Sequence, residues 1–236
     1  MGERETISEK LFQQLRQAIL SGEFEAGSQH SIYALAERFG VSRTPVRDAA
    51  LRLADAGMVT IERNRGLRVR GIGAADIRGI FEMRLMLEVP AARAAASRVA
   101  GGEGTELLSI LDDDLAAMAD AVESADARSF SESDMALHDH ILAPLDNERV
   151  AAQVRALREG TMLMDVSTFD RSRTLAEVHA EHVPIVRAIG AGDIAAAGGA
   201  MAQHLIGTAL LLFGQVAERT GEALPDRWPD AAVLGF

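Results

Sequence analysis

Apolar residues recur every three or four positions through most of this chain, which is the spacing of amphipathic helices. In the first third of the sequence, the pattern predicts three short helices followed by two short strands. Glycines and small polar residues stand at the breaks, where they favour caps and turns. The predicted elements are helices over Glu5–Leu20, Ile32–Phe39 and 43–56, then strands over Met58–Glu62 and Leu67–Arg70.

The third predicted helix follows the second after a very short turn, as in a helix-turn-helix. Gly40 is expected to close the second helix, Ser42 to cap the third, and Pro45 to occupy its first turn, where a missing N–H costs nothing. The stretch Gly22–His30 is predicted to be a connecting turn. Five apolar residues are expected on the inward side of the third helix: Val46, Ala50, Leu51, Leu53 and Ala54.

The polar side of the third helix has the chemistry of a DNA-reading element. Arg43, Thr44 and Arg47 lie toward its exposed N-terminal end, which is the end that enters a major groove in helix-turn-helix proteins. Arginine can bind a guanine edge through two hydrogen bonds, and it can also bind phosphate. These three residues are therefore predicted to contact DNA.

The loop between the two predicted strands has the sequence Arg63-Asn64-Arg65-Gly66, and Asn and Gly favour the positive φ angles of a tight hairpin. A hairpin with two arginines at its tip can lie against a DNA backbone or minor groove. The alternative is a packing module whose arginines form only a solvated face. The coincidence of turn, cap, basic helix and basic wing in one stretch favours a winged helix-turn-helix that binds double-stranded DNA.

The charge distribution divides the chain at the same place. The formal net charge of −11 argues against a nucleic-acid partner when it is taken over the whole chain. Residues 1–72, however, hold 11 Lys and Arg against 9 Asp and Glu, while the rest of the chain has a net charge of −13. Eight of those 11 basic residues fall between Arg38 and Arg70. A local basic patch can bind phosphates while the remainder of the protein stays acidic.

Beyond a glycine-rich stretch, Gly71–Gly79, the pattern is only helical. Asp76 is expected to cap the helix after this linker, and Pro90 interrupts that helix. The sequence therefore predicts a mainly α fold: a winged helix-turn-helix over residues 1–72, an antiparallel all-α bundle over 73–220 and a tail over 221–236. The six predicted bundle helices cover 77–99, 103–123, 126–142, 147–164, 171–190 and 193–216.

Three of the predicted bundle helices hold residues that can bind a metal. Asp134 and His138 are four residues apart and share a helix face, while His182 and His204 lie near the middle of two later helices. One carboxylate and two or three imidazoles on antiparallel helices can converge on a divalent cation. A ligand set without sulfur admits zinc, nickel, manganese or iron. From the spacing alone, a surface pair or a satisfied core pair is the commoner outcome.

Composition and the distribution of apolar residues indicate the cellular location of the protein. The chain has no cysteine, which fits a reducing cytoplasm. Its N-terminus lacks the apolar stretch of a signal peptide. The longest apolar run, Ile206–Phe213, is too short to cross a bilayer. We therefore expect a cytoplasmic protein without a membrane partner.

Two sets of motifs resemble the GntR family of bacterial transcription regulators. The segments LFQQLRQAILSGEF, LAERFGVSRTPVRDAALRLADAGMV and RNRGLRV are similar to its winged-helix domain. The segments EMRLMLEVPAARAAA, SDMALHDHIL, DNERV, AEHVPIVRAIGAGD and MAQHL are similar, in this order, to the FCD ligand-binding domain of its FadR subfamily. The resemblance covers about residues 8–217, and six helices in the second domain favour the shorter, VanR-like form.

The resemblance implies roles for residues at matching positions in the first domain. Residues that match Arg43, Thr44 and Arg47 contact operator DNA in such regulators, and the wing glycine corresponds to Gly66. Many members begin the second helix with an arginine that helps to bind DNA. Here Tyr33 stands in that region, and its hydroxyl is expected to reach a phosphate.

In the metal-binding members of the family, the ligands match four residues of this chain: Asp134, His138, His182 and His204. The resemblance thus favours a bound divalent metal ion, with zinc as the first choice and nickel, manganese or iron as alternatives. Arg84 matches an arginine that often faces the effector pocket. A salt bridge, for example with Glu88 four residues further on, is the alternative for Arg84.

The implied function is a homodimeric regulator, expected to be a repressor, on an inverted-repeat operator. A small organic-acid effector would bind at the metal and at Arg84. Two other functions remain open. One is a metal-dependent hydrolase or lyase fused to a DNA-binding domain, although Glu181 is expected to point away from the site and no general base is evident. The other is a metal-free regulator that binds an acyl ligand.

Overall fold

The computed structural model describes residues 6–63, 65–70, 73–163, 172–221 and 228–229. The chain forms two compact units, one of Met1–Gly73 with Glu159–Asp165 and one of Ala74–Arg158 with Val166–Phe236. Asn64 of the predicted wing turn, the first two residues of the predicted linker and most of the predicted tail lie outside the described residues.

Three helices of the first unit lie close to their predicted positions, and the first two of them begin at residues whose side chains cap the helix. The Thr6 side chain accepts a hydrogen bond from the backbone N–H of Glu9, and Ser31 accepts one from Ala34. Gly40 ends the second helix with a φ of 65°. The helices are α1 (Ile7–Leu20), α2 (Ile32–Phe39) and α3 (Arg43–Asp55).

Two expectations about α3 are wrong. Ser42 occupies the N-cap position, but its side chain makes no capping hydrogen bond. Leu51 does not face inward, because 53% of its surface is exposed. It stands four residues after Arg47 and therefore lies on the exposed stripe of the helix. Val46, Ala50 and Leu53 form the buried side, as predicted.

A small antiparallel sheet completes the first unit. Its strands are β1 (Gln29–His30), β2 (Val59–Glu62) and β3 (Gly66–Val69), which pair in the order β1-β3-β2. The expected turn at Gly22–His30 is therefore wrong at its end, where two residues pair with β3. Gly66 has a φ of 98°, and a Cβ there would lie 2.1 Å from the His30 carbonyl oxygen, so this position requires glycine.

The second unit is a bundle of long helices, and the six described α-helices that lie wholly or mostly in it match the six predicted segments. A 3-10 helix, Ala143–Leu145, follows the third of them. Asp76 does not cap the first helix, because that helix begins two residues earlier and Asp76 lies in its first turn. The helix continues through Pro90. The helices are α4 (Ala74–Ala100), α5 (Thr105–Glu123), α6 (Ala127–Leu142), α7 (Glu148–Leu163), α8 (Leu175–Gly190) and α9 (Ile194–Thr220).

Helix α9 is the most apolar element of the bundle. Residues Ile194–Glu218 are long and apolar enough to cross a membrane by length and composition, but half of the apolar window is buried inside the protein. Met201, Leu205 and Phe213 are core residues with at most 1% exposure. Helix α9 packs mainly against α4 and α8. Its apolar character is therefore that of a core helix.

Candidate DNA-reading face and candidate metal centre

A concavity of about 440 Å³ opens between α2, α3 and the wing formed by β2, β3 and their loop. We call it the arginine concavity. Six of the seven residues predicted to contact DNA line it: Tyr33, Arg43, Arg47, Arg63, Arg65 and Gly66. Thr44, the seventh, is exposed in the first turn of α3 and is not among the lining residues.

The arginines of the concavity differ from others in the same unit. Arg52 pairs with Glu9 at 2.6 Å between Nη1 and Oε2, and Arg68 pairs with Glu62 at 2.6 Å between Nε and Oε1. Within the described ranges, no ion pair is found for the four arginines of the concavity. These are Arg43, Arg47, Arg63 and Arg65. Four exposed cations around one hollow create a positive potential that attracts a polyanion.

The second unit brings together all four predicted metal ligands. His138 on α6, His182 on α8 and His204 on α9 are buried, and one ring nitrogen from each lies within 4.8 Å of the others. Nε2 of His138 is 3.2 Å from Nε2 of His182. Oδ1 of Asp134 is 3.0 Å from the same His182 nitrogen. His179, on the same helix as His182, is not part of the cluster.

Each imidazole of the cluster is oriented by a partner at its other nitrogen. The Nδ1–H of His182 donates to the Val178 carbonyl oxygen at 2.8 Å. The Nδ1–H of His204 donates to Oε2 of Glu181 at 3.0 Å. His138 is oriented in the same way by a carboxylate on α4. With Nδ1 protonated, the Nε2 atom of each ring presents a lone pair to the centre of the cluster.

Glu88 is the carboxylate that orients His138. It is 1% exposed, and its Oε2 accepts a hydrogen bond from Nδ1 of His138. Its Oε1 accepts one from Nε of Arg84 at 2.6 Å. The pair between Arg84 and Glu88, which the sequence offered as an alternative, is therefore formed. Nη2 of Arg84 is nevertheless buried with no hydrogen-bond partner among the described residues.

Burial and charge set the protonation of this cluster. Burial lowers the pKa of His138 to about 3 and that of His204 to about 4, so both rings are neutral near pH 7. Burial alone would raise the pKa of Asp134, but Arg158 and the neighbouring histidines hold it well below its ordinary value. Arg84 and His138 outweigh burial in the same way and lower the pKa of Glu88.

This donor set fits a divalent cation. Nε2 of His182 lies 3.2 Å from Nε2 of His138 and 3.0 Å from Oδ1 of Asp134, and the lone pairs of these atoms repel one another unless a cation or proton lies between them. Neutral imidazoles and one carboxylate are ligands that zinc and other first-row divalent metals prefer. The carboxylate is also held by Arg158, a buried side chain on α7 that contacts Asp134.

Three residues around the cluster could not be identified from the sequence. The spacing indicated Glu88 only as a partner of Arg84, and it gave no indication of Arg158. Glu181 was expected to point away from the site, which is wrong, because it bonds to His204 and to Arg173. Glu181 and His204 also line a cavity of about 250 Å³ between α8 and α9. No signal in the sequence separates such residues from the many other charged residues on the helices.

Comparison with known proteins agrees with this architecture. The description "Bacterial regulatory proteins, gntR family" matches residues 7–69, and "FCD domain" matches residues 79–207. An HTH-type transcriptional regulator from the TAR-I ttuE-ttuC' intergenic region of Agrobacterium vitis is 33% identical over 132 residues, which cover 55% of this chain and 75% of that protein. The HTH-type transcriptional repressor RspR of Escherichia coli K12 is 27% identical over 199 residues, which cover 84% of this chain and 86% of RspR.

The fold has solved counterparts. A solved structure described as "Lar controls the expression of the Listeria monocytogenes agr system and mediates virulence" has a TM-score of 0.68 with 18% identity, and the match covers 90% of this chain and 99% of that one. With a winged helix-turn-helix followed by an FCD domain, the chain belongs to the GntR family of bacterial regulatory proteins. It is a DNA-binding transcriptional regulator.

Proposed function

We propose that this regulator is a cytoplasmic repressor of the FadR subfamily. Its affinity for operator DNA would be controlled by a small organic acid bound at a metal centre. In this proposal, residues 1–72 bind DNA and residues 73–220 bind the metal and the acid. The protein acts as a homodimer on an inverted-repeat operator, because two recognition helices then match two half-sites.

The DNA-reading role is assigned to the arginine concavity and to Thr44 beside it. Arg43 and Arg47 would enter the major groove, while Arg63 and Arg65 would lie against the backbone or minor groove. The support is that these cations are exposed and lack ion pairs within the described residues, whereas Arg52 and Arg68 of the same unit are paired. Tyr33, 68% exposed, is placed at the phosphate backbone.

The metal site is assigned to Asp134, His138, His182 and His204. One observation is central: three buried imidazoles point Nε2 atoms at one another while each Nδ1–H donates to a partner outside the cluster. Fixed outer hydrogen bonds of this kind are the usual mark of metal-binding histidines. When bound, the ion would supply Lewis-acid positions for a carboxylate oxygen.

An anionic effector follows from the charges around the cluster. The carboxylates of Asp134 and Glu88 are balanced by the guanidinium groups of Arg84 and Arg158, so a divalent cation adds two positive charges to a buried site. A carboxylate ligand offsets part of that excess. Nη2 of Arg84, which has no partner in the described part of the chain, would donate to it.

The arrangement gives less support to the two alternative functions. A hydrolase or lyase needs a carboxylate or imidazole that is free to move a proton. In and around the cluster, the carboxylates of Glu88, Glu181 and Asp134 are each held by an arginine and a histidine. A metal-free regulator of acyl ligands would not need four converging ligand side chains.

Elemental analysis of the purified protein tests the metal assignment. We expect about one equivalent of a divalent metal for each wild-type chain and a loss of most of it in His182→Ala, because that variant removes the central ligand. His179→Ala is the matched control, since it alters a histidine one turn away that is outside the cluster. Full metal occupancy in His182→Ala, with the fold intact by circular dichroism, would contradict the assignment.

A further inference from the structure

Among the described residues of the first unit, three of the four large apolar side chains that are exposed lie in one place. Tyr33, Leu51 and Ile61 are 68%, 53% and 49% exposed, and all three line the arginine concavity. Ile7 at the start of α1, 62% exposed, is outside it. Scattered apolar residues are ordinary on a protein surface, whereas a cluster within a hollow marks a binding surface.

The occupant of this hollow must combine apolar groups with negative charge. Four arginines line the same hollow as the apolar side chains of Leu51 and Ile61. Glu62 is an acidic residue of the lining, and its carboxylate is taken up by Arg68 at 2.6 Å and by the Gln29 side-chain amide at 2.7 Å. The charge of the hollow is therefore dominated by cations. An anionic partner with apolar projections is complementary to it.

Leu51 lies on the same helical stripe as the arginines that enter the major groove in the proposed function. Arg43, Arg47 and Leu51 are spaced four residues apart on α3, and all three are exposed. The Leu51 side chain therefore faces the same DNA groove as the two arginines. The C5 methyl group of thymine is the apolar group that bases display in the major groove.

We propose that Leu51, supported by Ile61, is a specificity-determining residue that contacts thymine methyl groups in the operator. This inference rests on the proposed DNA-reading role of α3. It assigns apolar recognition to a helix whose other predicted contacts are polar. Selectivity would then come from two kinds of contact, arginine to guanine or phosphate and leucine to thymine methyl.

Duplexes with and without thymine methyl groups test this inference. Operators would first be selected from a random duplex library with the full-length wild-type protein, and then resynthesised with deoxyuridine in place of every thymidine. Because each buried methyl contributes to affinity, we expect the wild-type dissociation constant to rise about fourfold for each contacted methyl. In Leu51→Ala and Ile61→Ala the ratio between uracil and thymine duplexes should fall toward one.

Ile7→Ala is the matched control. It truncates an exposed apolar side chain of the same unit outside the concavity. The ratio of its dissociation constants for the uracil and thymine duplexes should therefore equal that of the wild type. Equal wild-type affinity for both duplexes would overturn the inference, and so would an equal loss of affinity for both in Leu51→Ala. Failure to select any operator would contradict the proposed DNA-reading role itself, which separates the two failures.

Discussion

The two units use charged side chains in opposite ways. In the first unit, Arg43 and Arg47 stand exposed on α3 without ion pairs in the described part of the chain. In the second unit, Arg84 and Arg158 are buried and each contacts a buried or largely buried carboxylate. Both arrangements place arginines at a candidate site, but only the second compensates their charge within the protein.

In the proposed function, this difference reflects the sizes of the two ligands. A DNA duplex supplies many phosphates at a protein surface. The arginines that bind them can therefore stay solvated in the DNA-free protein, where they cost little free energy. A small anion in a bundle core has to be bound by groups already desolvated and already oriented. Single substitutions in the buried network are therefore expected to lower the stability of the protein. Substitutions on the exposed face are expected to lower only the affinity for DNA.

The largest effect is expected where a buried charge loses its partner. Arg158→Met leaves the Asp134 carboxylate without its guanidinium, so we expect the metal-free protein to lose about 3–5 kcal/mol of unfolding free energy. Urea denaturation followed by circular dichroism would measure this. A loss below the scatter of the measurement would show that solvent reaches the site and that the buried network is not as tightly coupled as its contacts indicate.

On the exposed face, a substitution should reduce affinity and spare stability. Arg47→Ala removes one predicted DNA contact, so operator affinity should fall about 10- to 100-fold. Fluorescence anisotropy with the selected operator would measure it, and thermal unfolding should be unchanged. Lys10→Ala, which removes an exposed cation of α1 outside the concavity, serves as the control. Unchanged affinity in Arg47→Ala would remove α3 from the DNA-reading face.

A change one layer out from the metal ligands is expected to lower stability as well, because Arg84 loses its buried carboxylate, but its specific effect is on metal affinity. Glu88→Gln keeps the shape of the side chain but removes the charge that orients and polarises His138, so zinc affinity should fall about tenfold. Competition with a chromophoric chelator would measure it. Glu132→Gln, on the exposed face of α6, is the control. Equal zinc affinity in the two variants would mean that Glu88 serves only to balance Arg84.

The smallest effect is expected for an exposed pair in the second unit. Arg128 and Glu132 are in contact at 2.9 Å between Nε and Oε1, but their side chains are 88% and 66% exposed. Arg128→Ala should leave the unfolding midpoint unchanged within error, because solvent screens such a pair. A shift comparable to that of Arg158→Met would mean that burial does not separate the two kinds of ion pair.

Much of the fold could be predicted from local sequence because its signals are local. The bounds of α2 follow from Ser31 and Gly40, and the six bundle helices follow from apolar spacing and short breaks. Strand β1 could not be predicted, since its two residues become a strand only by pairing with β3. The side on which Leu51 lies was also ambiguous, because Ala50 and Leu51 are adjacent apolar residues and either could face the core.

The site was predictable only in its innermost residues. Asp134, His138, His182 and His204 have residue types typical of metal ligands, and the structure brings them together. Glu88 and Glu181 have no such distinction, because their role depends on which imidazole each carboxylate reaches across the bundle. That information is tertiary, and acidic residues are common along all of these helices.

In the proposed function, the metal centre of the second unit controls DNA binding by the first, and release of the operator by an acid tests this control. Metal-loaded wild-type protein on its selected operator would be titrated with a panel of two- to six-carbon hydroxy and dicarboxylic acids, beside His182→Ala and the control His179→Ala. We predict that at least one acid releases DNA from the wild type and the control, while His182→Ala binds DNA but does not respond. Equal release from all three proteins, or release from none, would contradict the account.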